Sequence, residues 1–97
     1  MSPPALSVLL VHYHAPDDAA RAVASVEREA REAGLAVEVV LVDNGSTEEE
    51  RRLLADLPVR RVGRGENLGY AGGLNLGAEH ARSEVLAAMN PDVRLLP

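Results

Sequence analysis

The chain has 97 residues, the size of a single domain that can bury one modest hydrophobic core. Apolar residues make up 46% of it and charged residues 26%, which excludes a wholly disordered chain. Its 15 acidic residues outnumber its 10 basic ones for a net charge of −5, which argues against a nucleic-acid-binding surface, and the absence of Lys and Cys excludes Schiff-base, P-loop and thiolate chemistry.

Apolar runs alternate with helical patterns along the first half of the chain. Leu6–Val11 is apolar apart from Ser7, without a polar alternation, and predicts a strand that is buried on both faces. Apolar residues then recur at spacings of three and four over Asp17–Ala33, and Gly34 follows, which predicts a helix and its end. Val37–Val42, rich in β-branched residues, predicts a second buried strand.

The second half repeats the alternation. Thr47–Asp56 is acidic at its start and basic further on, the order that a helix dipole favours. Val59–Val62 predicts a weaker third strand, and Val85–Met89 predicts a fourth. Between them, a third helix is predicted from Ala71 to about Arg82. The order β-α-β-α-β-α-β with short connections predicts an α/β fold with a parallel, doubly wound sheet.

Polar or glycine-rich segments follow all four predicted strands. Tyr13 follows the first, Asp43 the second, the glycine-rich segment 63–77 the third and Asp92 the fourth. Ligands bind outside the carboxyl ends of the strands in such sheets. We therefore expect a binding site at one rim of the sheet.

Several of these residues have two interpretations. Asp43 can accept hydrogen bonds from a ribose or a nucleobase, or it can form an Asx-type turn with Asn44 and Gly45. A nicotinamide-binding fold is disfavoured because no glycine loop follows the first strand. Gly73 and Gly77 are interpreted as positions of close helix–sheet packing.

The candidate metal-binding residues also have two interpretations each. Asp92 can hold a hard cation if the substrate brings a diphosphate, or it can belong to a turn that begins at Asn90. His12 and His14 could hold a transition metal from one face of a strand, but a motif of this kind is weak evidence.

Four segments in combination resemble the family 2 glycosyltransferases, and within them the rhamnosyltransferase-like group. They are Val8–His14 (VLLVHYH), Val39–Thr47 (VVLVDNGST), Glu66–Gly77 (ENLGYAGGLNLG) and Met89–Val93 (MNPDV). The resemblance implies the Rossmann-like N-terminal half of a GT-A fold, a three-layer α/β/α structure with a mainly parallel sheet of strand order 3-2-1-4. It also implies inverting transfer of a sugar such as rhamnose from a nucleotide-diphosphate sugar to a hydroxyl acceptor, with Mg²⁺ or Mn²⁺ as cofactor.

The same resemblance assigns roles to individual residues. Tyr13 would lie beside the nucleotide base, Asp43 would bind the base N–H or the ribose, and Asp92 matches the last acid of the metal-binding D-x-D motif. The segment lining the nucleotide and diphosphate would include Asn67, Gly69 and Asn75. The family's catalytic base comes later in the sequence, so none is assigned here, and we expect residues 1–97 to be the nucleotide-sugar-binding half without the acceptor half.

Three positions depart from the family pattern. His14 stands where Asn is usual, Asn90 replaces the first acid of D-x-D, and Leu74 occupies a position that is often Asn. The change at Asn90 predicts a low metal affinity.

Partners and location follow as expectations. The donor is predicted to be a dTDP- or UDP-sugar, and a homodimer is expected because the fourth strand would form an uncovered edge. No apolar run reaches the roughly 18 residues of a membrane span, so we expect a cytoplasmic chain, compatible with peripheral membrane association. The alternative function is a non-catalytic nucleotide- or sugar-nucleotide-binding regulatory module; a phospho-receiver and an esterase are excluded because their motifs are absent.

Overall fold

The elements follow the predicted order in the computed structural model, which describes residues 3–63 and 66–92. The strands are β1 (Leu6–His12), β2 (Val37–Asp43), β3 (Arg60–Val62) and β4 (Leu86–Met89). The helices are α1 (Pro16–Ala33), α2 (Glu48–Leu54) and α3 (Gly69–His80). The largest differences from the predicted bounds are at α3, which begins and ends earlier than expected, and at the shorter α2.

The four strands form one parallel sheet in the order β3-β2-β1-β4. In the centre of the sheet Leu10 is paired with Leu41 on one side and with Met89 on the other. This topology confirms the predicted fold class and its 3-2-1-4 strand order. It leaves β3 and β4 as the two edges.

Helices cover both faces of the sheet, which is why the central strands β1 and β2 are mainly apolar. One face packs against α1 and α2 through alternate strand residues, namely Val8, Leu10, Val39 and Leu41. The other packs against α3 through Leu9, Val11, Val40 and Val42. The layers are therefore α/β/α, as the resemblance implied.

Glycine allows α3 to lie close to the sheet. A Cβ on Gly73 would lie 3.0 Å from Val11 Cγ1, and one on Gly77 would lie 3.1 Å from Val42 Cγ2. Two helical glycines cost about 1 kcal/mol each relative to alanine. The close approach gives the physical reason for them and confirms the packing interpretation.

A polar network fixes the connection from α3 to β4 at the amino ends of the strands. The hydroxyl of buried Ser7 donates to Glu38 Oε2 at 2.7 Å and accepts from the Ser83 N–H at 3.1 Å. Glu38 Oε2 also accepts from the Arg82 N–H at 2.8 Å. This network lies at the amino ends of the strands, opposite the rim at which the sequence predicts a binding site.

Among the helices that the structure describes, none is long and apolar enough to cross a membrane.

Candidate functional site

The carboxyl ends of the strands form one rim, and most of the predicted site residues lie there. His12 and Asp43 are partners in the register of β1 and β2 and end their strands side by side. Tyr13 follows β1, and Asp92 lies in the turn after β4. The N-terminus of α3, at Gly69, reaches the same rim because Asn44 bonds to it.

Asp43 is 8% exposed and takes part in a turn. Its Oδ1 accepts from the Ser46 N–H at 2.8 Å, and its Oδ2 accepts from Arg51 Nε at 3.3 Å. Asp43 therefore makes a side-chain bond within its turn, as the turn interpretation expects, but to Ser46 three residues on and not to the N–H of Gly45, whose φ is 109°. The Ser46 hydroxyl also bonds to this carboxylate, so three of its roughly four lone-pair sites are used and one remains for a ligand.

Burial by itself would raise the pKa of Asp43, but hydrogen bonds outweigh it. The side chain and backbone of Ser46 and the guanidinium of Arg51 favour the carboxylate, so the pKa lies below its usual range. Asp43 is therefore an ionised hydrogen-bond acceptor at neutral pH.

His12 is fully buried, and both of its ring nitrogens are occupied. Nε2 accepts from the Ala15 N–H at 3.0 Å, so the ring proton is on Nδ1 and donates to Ser46 Oγ, also at 3.0 Å. Burial lowers the pKa of His12, while the charges of Glu50 and Asp43 oppose that effect. The neutral ring is the form that these bonds require.

This arrangement excludes the metal interpretation of His12 with His14. His12 has no nitrogen left for a metal, and His14 Nδ1 lies 2.7 Å from Glu50 Oε1. Glu50 also accepts from the Thr47 N–H in a capping box that begins α2. The polar sequence around these histidines therefore stabilises the rim.

Asn44 is a site residue that the sequence analysis treated only as part of a turn. It is 3% exposed, its Oδ1 accepts from the Leu68 N–H at 2.8 Å, and its Nδ2 donates to the Gly69 carbonyl at 3.1 Å. An Asn directly after a strand-ending Asp is a sequence signal, but its partners lie 24 and 25 residues away. Only the tertiary structure identifies them.

Gly63 is a second residue whose role the sequence did not show. Its φ is +102°, and a Cβ there would lie 2.7 Å from the backbone oxygen of Asp43. The chain leaving β3 therefore passes directly over the end of β2. From this point an open groove of about 660 Å³ runs beside β3 and α3 as far as His80.

The remaining predicted residues differ in their placement. Tyr13 is 55% exposed, and its ring lies edge-on to that of His14. Asn67 Oδ1 accepts from the Gly69 N–H at 2.9 Å, and the positive φ of Gly69, +73°, explains why a glycine stands there. Asn75 is exposed and lies about 200° around α3 from Gly73, on the side away from the sheet.

Asp92 is an exposed carboxylate in the turn after β4. Within residues 3–63 and 66–92, no group of three or more His, Cys, Asp or Glu side chains could hold a metal ion. A hard cation can use one carboxylate together with substrate phosphates and water. Asp92 fits a cation site of that kind and does not fit an all-protein cage.

The comparisons with known proteins identify the family. A family profile described as glycosyl transferase family 2 matches residues 7–97. The chain belongs to this family. The resemblance seen in the sequence is thereby confirmed at the family level, and the rhamnosyltransferase-like group stays a prediction.

Two relatives of this family 2 chain are informative. It is 29% identical over 94 residues to the low-salt glycan biosynthesis hexosyltransferase Agl10 of Haloferax volcanii, covering 93% of this chain and 28% of that protein. It superimposes with a TM-score of 0.77 and 21% identity on the mannosyltransferase PcManGT from Pyrobaculum calidifontis in complex with GDP-Man and Mn²⁺, covering all of this chain and 30% of that one. The second likeness confirms the GT-A fold, and the chain spans less than a third of either protein.

Proposed function

We propose that the rim binds a nucleotide-diphosphate sugar, and that residues 1–97 are the donor-binding part of an inverting glycosyltransferase. The observation that carries this is the link through Asn44 between the ionised Asp43 and the start of α3, in a chain of glycosyl transferase family 2. Transfer would be attack of an acceptor hydroxyl on the anomeric carbon of the donor, with the nucleoside diphosphate leaving. No general base is assigned to this chain.

Asp43 and Tyr13 would hold the nucleoside. Beside its bonds from Ser46 and Arg51, the carboxylate retains acceptor capacity for one bond from a base N–H or a ribose hydroxyl. Arg51 is half exposed and joins Asp43 through one long bond, so it can move aside when a ligand arrives. The exposed ring of Tyr13 is available for stacking on the base.

The start of α3 and Asp92 would hold the diphosphate. The first turn of α3 carries no acidic residue, whereas α1 and α2 begin with acidic residues that complement their own dipoles. The N–H groups of a helix start and its partial positive charge favour a phosphate. A Mg²⁺ or Mn²⁺ ion held by Asp92 would neutralise charge on the leaving diphosphate. Asn67 and Gly69 would shape this segment.

Two donor classes compete within this proposal. The motif combination favours rhamnose on dTDP or UDP. The similarity to a hexosyltransferase and to a mannosyltransferase with GDP-Man favours a donor such as mannose on GDP instead. Binding of dTDP-rhamnose, UDP-glucose and GDP-mannose to the same sample distinguishes the two.

Calorimetry with UDP, dTDP and GDP, each with and without Mn²⁺, tests the proposal. We expect at least one nucleotide to bind, and Asp43→Asn to weaken that binding about tenfold by loss of a charged hydrogen bond. Asp56→Asn is the matched control, because Asp56 is exposed beyond the far end of α2. Failure of all three nucleotides to bind with Mn²⁺ would contradict the proposal. Binding in a protein that never transfers sugar would favour the regulatory module.

A further inference from the structure

We propose that Asn44 is the positioning residue that sets the spacing between the nucleobase contact at Asp43 and the diphosphate contact at the start of α3. The inference rests on the function proposed above. Asn44 follows Asp43 directly, and its backbone N–H donates to the His12 carbonyl at 2.9 Å. Its main chain is therefore fixed to the ends of β1 and β2 together.

The side-chain amide of Asn44 holds the loop before α3 through two bonds of opposite direction. Oδ1 accepts from the Leu68 N–H, and Nδ2 donates to the Gly69 carbonyl. Since a backbone N–H can only donate and a carbonyl can only accept, these partners fix the orientation of the amide. Neither an alanine nor an isosteric aspartate could make both bonds.

Close packing encloses this amide. A Cβ on Gly73 would lie 3.6 Å from Asn44 Nδ2, and it would also press on Val11. The N–H of Gly69 is bonded to Asn67 Oδ1, so both polar backbone groups of Gly69 and the N–H of Leu68 have side-chain partners. The helix start is therefore held in one place relative to β2.

This rigidity matters because the donor joins its base and its diphosphate covalently. Both contacts form together only if their spacing matches the ligand, and a pre-organised spacing avoids an ordering cost on binding. Loss of the Asn44 amide leaves Asp43 in place but releases the helix start. A nucleoside, which lacks the diphosphate, does not depend on that spacing.

The test compares a nucleoside with its diphosphate, using uridine with UDP, thymidine with dTDP or guanosine with GDP, whichever pair binds. In Asn44→Ala we expect the diphosphate to bind about tenfold more weakly and the nucleoside to change less than about twofold, the loss of roughly one good hydrogen-bonded contact. Ser7→Ala is the matched control, because it removes a buried hydroxyl with two hydrogen bonds at the amino ends of the strands, away from the rim. It should lower stability and leave the ratio of the two affinities unchanged.

A second variant and a second measurement protect the test against misfolding. Asn44→Asp keeps the shape and the acceptor for Leu68, and it should also weaken the diphosphate selectively. Amide hydrogen exchange at Leu68 should accelerate in Asn44→Ala and stay as in the parent in Ser7→Ala.

Equal weakening of both ligands, an unchanged ratio, or unchanged exchange at Leu68 would overturn the role of Asn44. If the parent chain binds no nucleoside diphosphate at all, the proposed function fails and this role fails with it. If the parent binds and only the ratio stays constant, this inference alone is wrong.

Discussion

The imidazole Nδ1 of His12 donates to the hydroxyl of Ser46 at 3.0 Å, between residues 34 apart in the chain. The Ser46 hydroxyl and N–H in turn bond to the carboxylate of Asp43. The buried histidine thus orients the carboxylate at the rim through one intermediate, and it does so in its neutral form.

This relationship predicts that the free energy of unfolding decreases as the pH is lowered below about 6.5. Burial sets the pKa of folded His12 below its usual value of 6.5, so the unfolded chain binds a proton first as the pH falls. Stability from neutral His12 is complete above that value and declines below it, down to the folded pKa. Asp43 acts in the same direction but at lower pH, because its lowered pKa gives stability that is lost only as the pH falls below its usual value of 3.8. Urea unfolding at stepped pH values between 5 and 8 measures the slope.

Two variants test whether His12 causes this dependence of the unfolding free energy on pH. His12→Gln should be less stable at pH 7.5 by about 2 kcal/mol, because buried hydrogen bonds are lost, and its stability should vary less with pH. His14→Gln, at an exposed position beside Glu50, should retain the slope of the parent. A slope that survives in His12→Gln would show that another group is responsible.

Two glycines with positive φ should differ sharply in their tolerance of alanine. Gly63→Ala places a Cβ 2.7 Å from the Asp43 backbone oxygen, so the end of β2 must move. Gly69→Ala meets nothing within 4 Å and bears only backbone strain. We expect a loss of about 1 kcal/mol for Gly69→Ala and at least about 3 kcal/mol for Gly63→Ala, measured by chemical unfolding. Similar losses for the two variants would contradict the close approach of Gly63 to β2.

Metal should strengthen nucleotide binding through Asp92. We expect Mn²⁺ to tighten nucleoside diphosphate binding severalfold in the parent, because a cation bridges the carboxylate and the phosphates. Asp92→Asn should lose most of this gain while its affinity without metal stays close to that of the parent. Glu84→Gln is the control, because Glu84 is exposed and precedes β4, whereas Asp92 follows it at the other end of the strand. An undiminished effect of Mn²⁺ in Asp92→Asn would exclude Asp92 as the metal ligand.

The edge of β4, which pairs with no further strand within residues 3–63 and 66–92, should cause self-association of the 97-residue chain. Val85 and Leu86 are 59% and 44% exposed there, and an edge strand without charges recruits another strand. Leu86→Lys should shift the chain toward monomer in light scattering after size exclusion, whereas Leu53→Lys, at a more exposed leucine on α2, should not. A parent chain that stays monomeric at every concentration would contradict this expectation.

The sequence by itself determined the element order, the parallel sheet and the rim at which the proposed site lies. A short run such as Leu6–Val11, apolar apart from Ser7, is typical of a strand covered on both faces, and polar residues follow that strand. The glycines of α3 were also interpretable, because repeated glycine in a helix needs a packing reason. These are local signals, set by spacing within one segment.

Only the tertiary structure decided which polar groups meet. Asn44 reaches Leu68 across 24 residues, and Gly63 passes over the Asp43 carbonyl, contacts that no local pattern encodes. The identity of His12 as a neutral structural histidine likewise depends on burial and on its two partners, Ala15 and Ser46. Hydrogen-bond partners and pKa values depend on distances between distant segments, and those distances are set by packing of the whole fold.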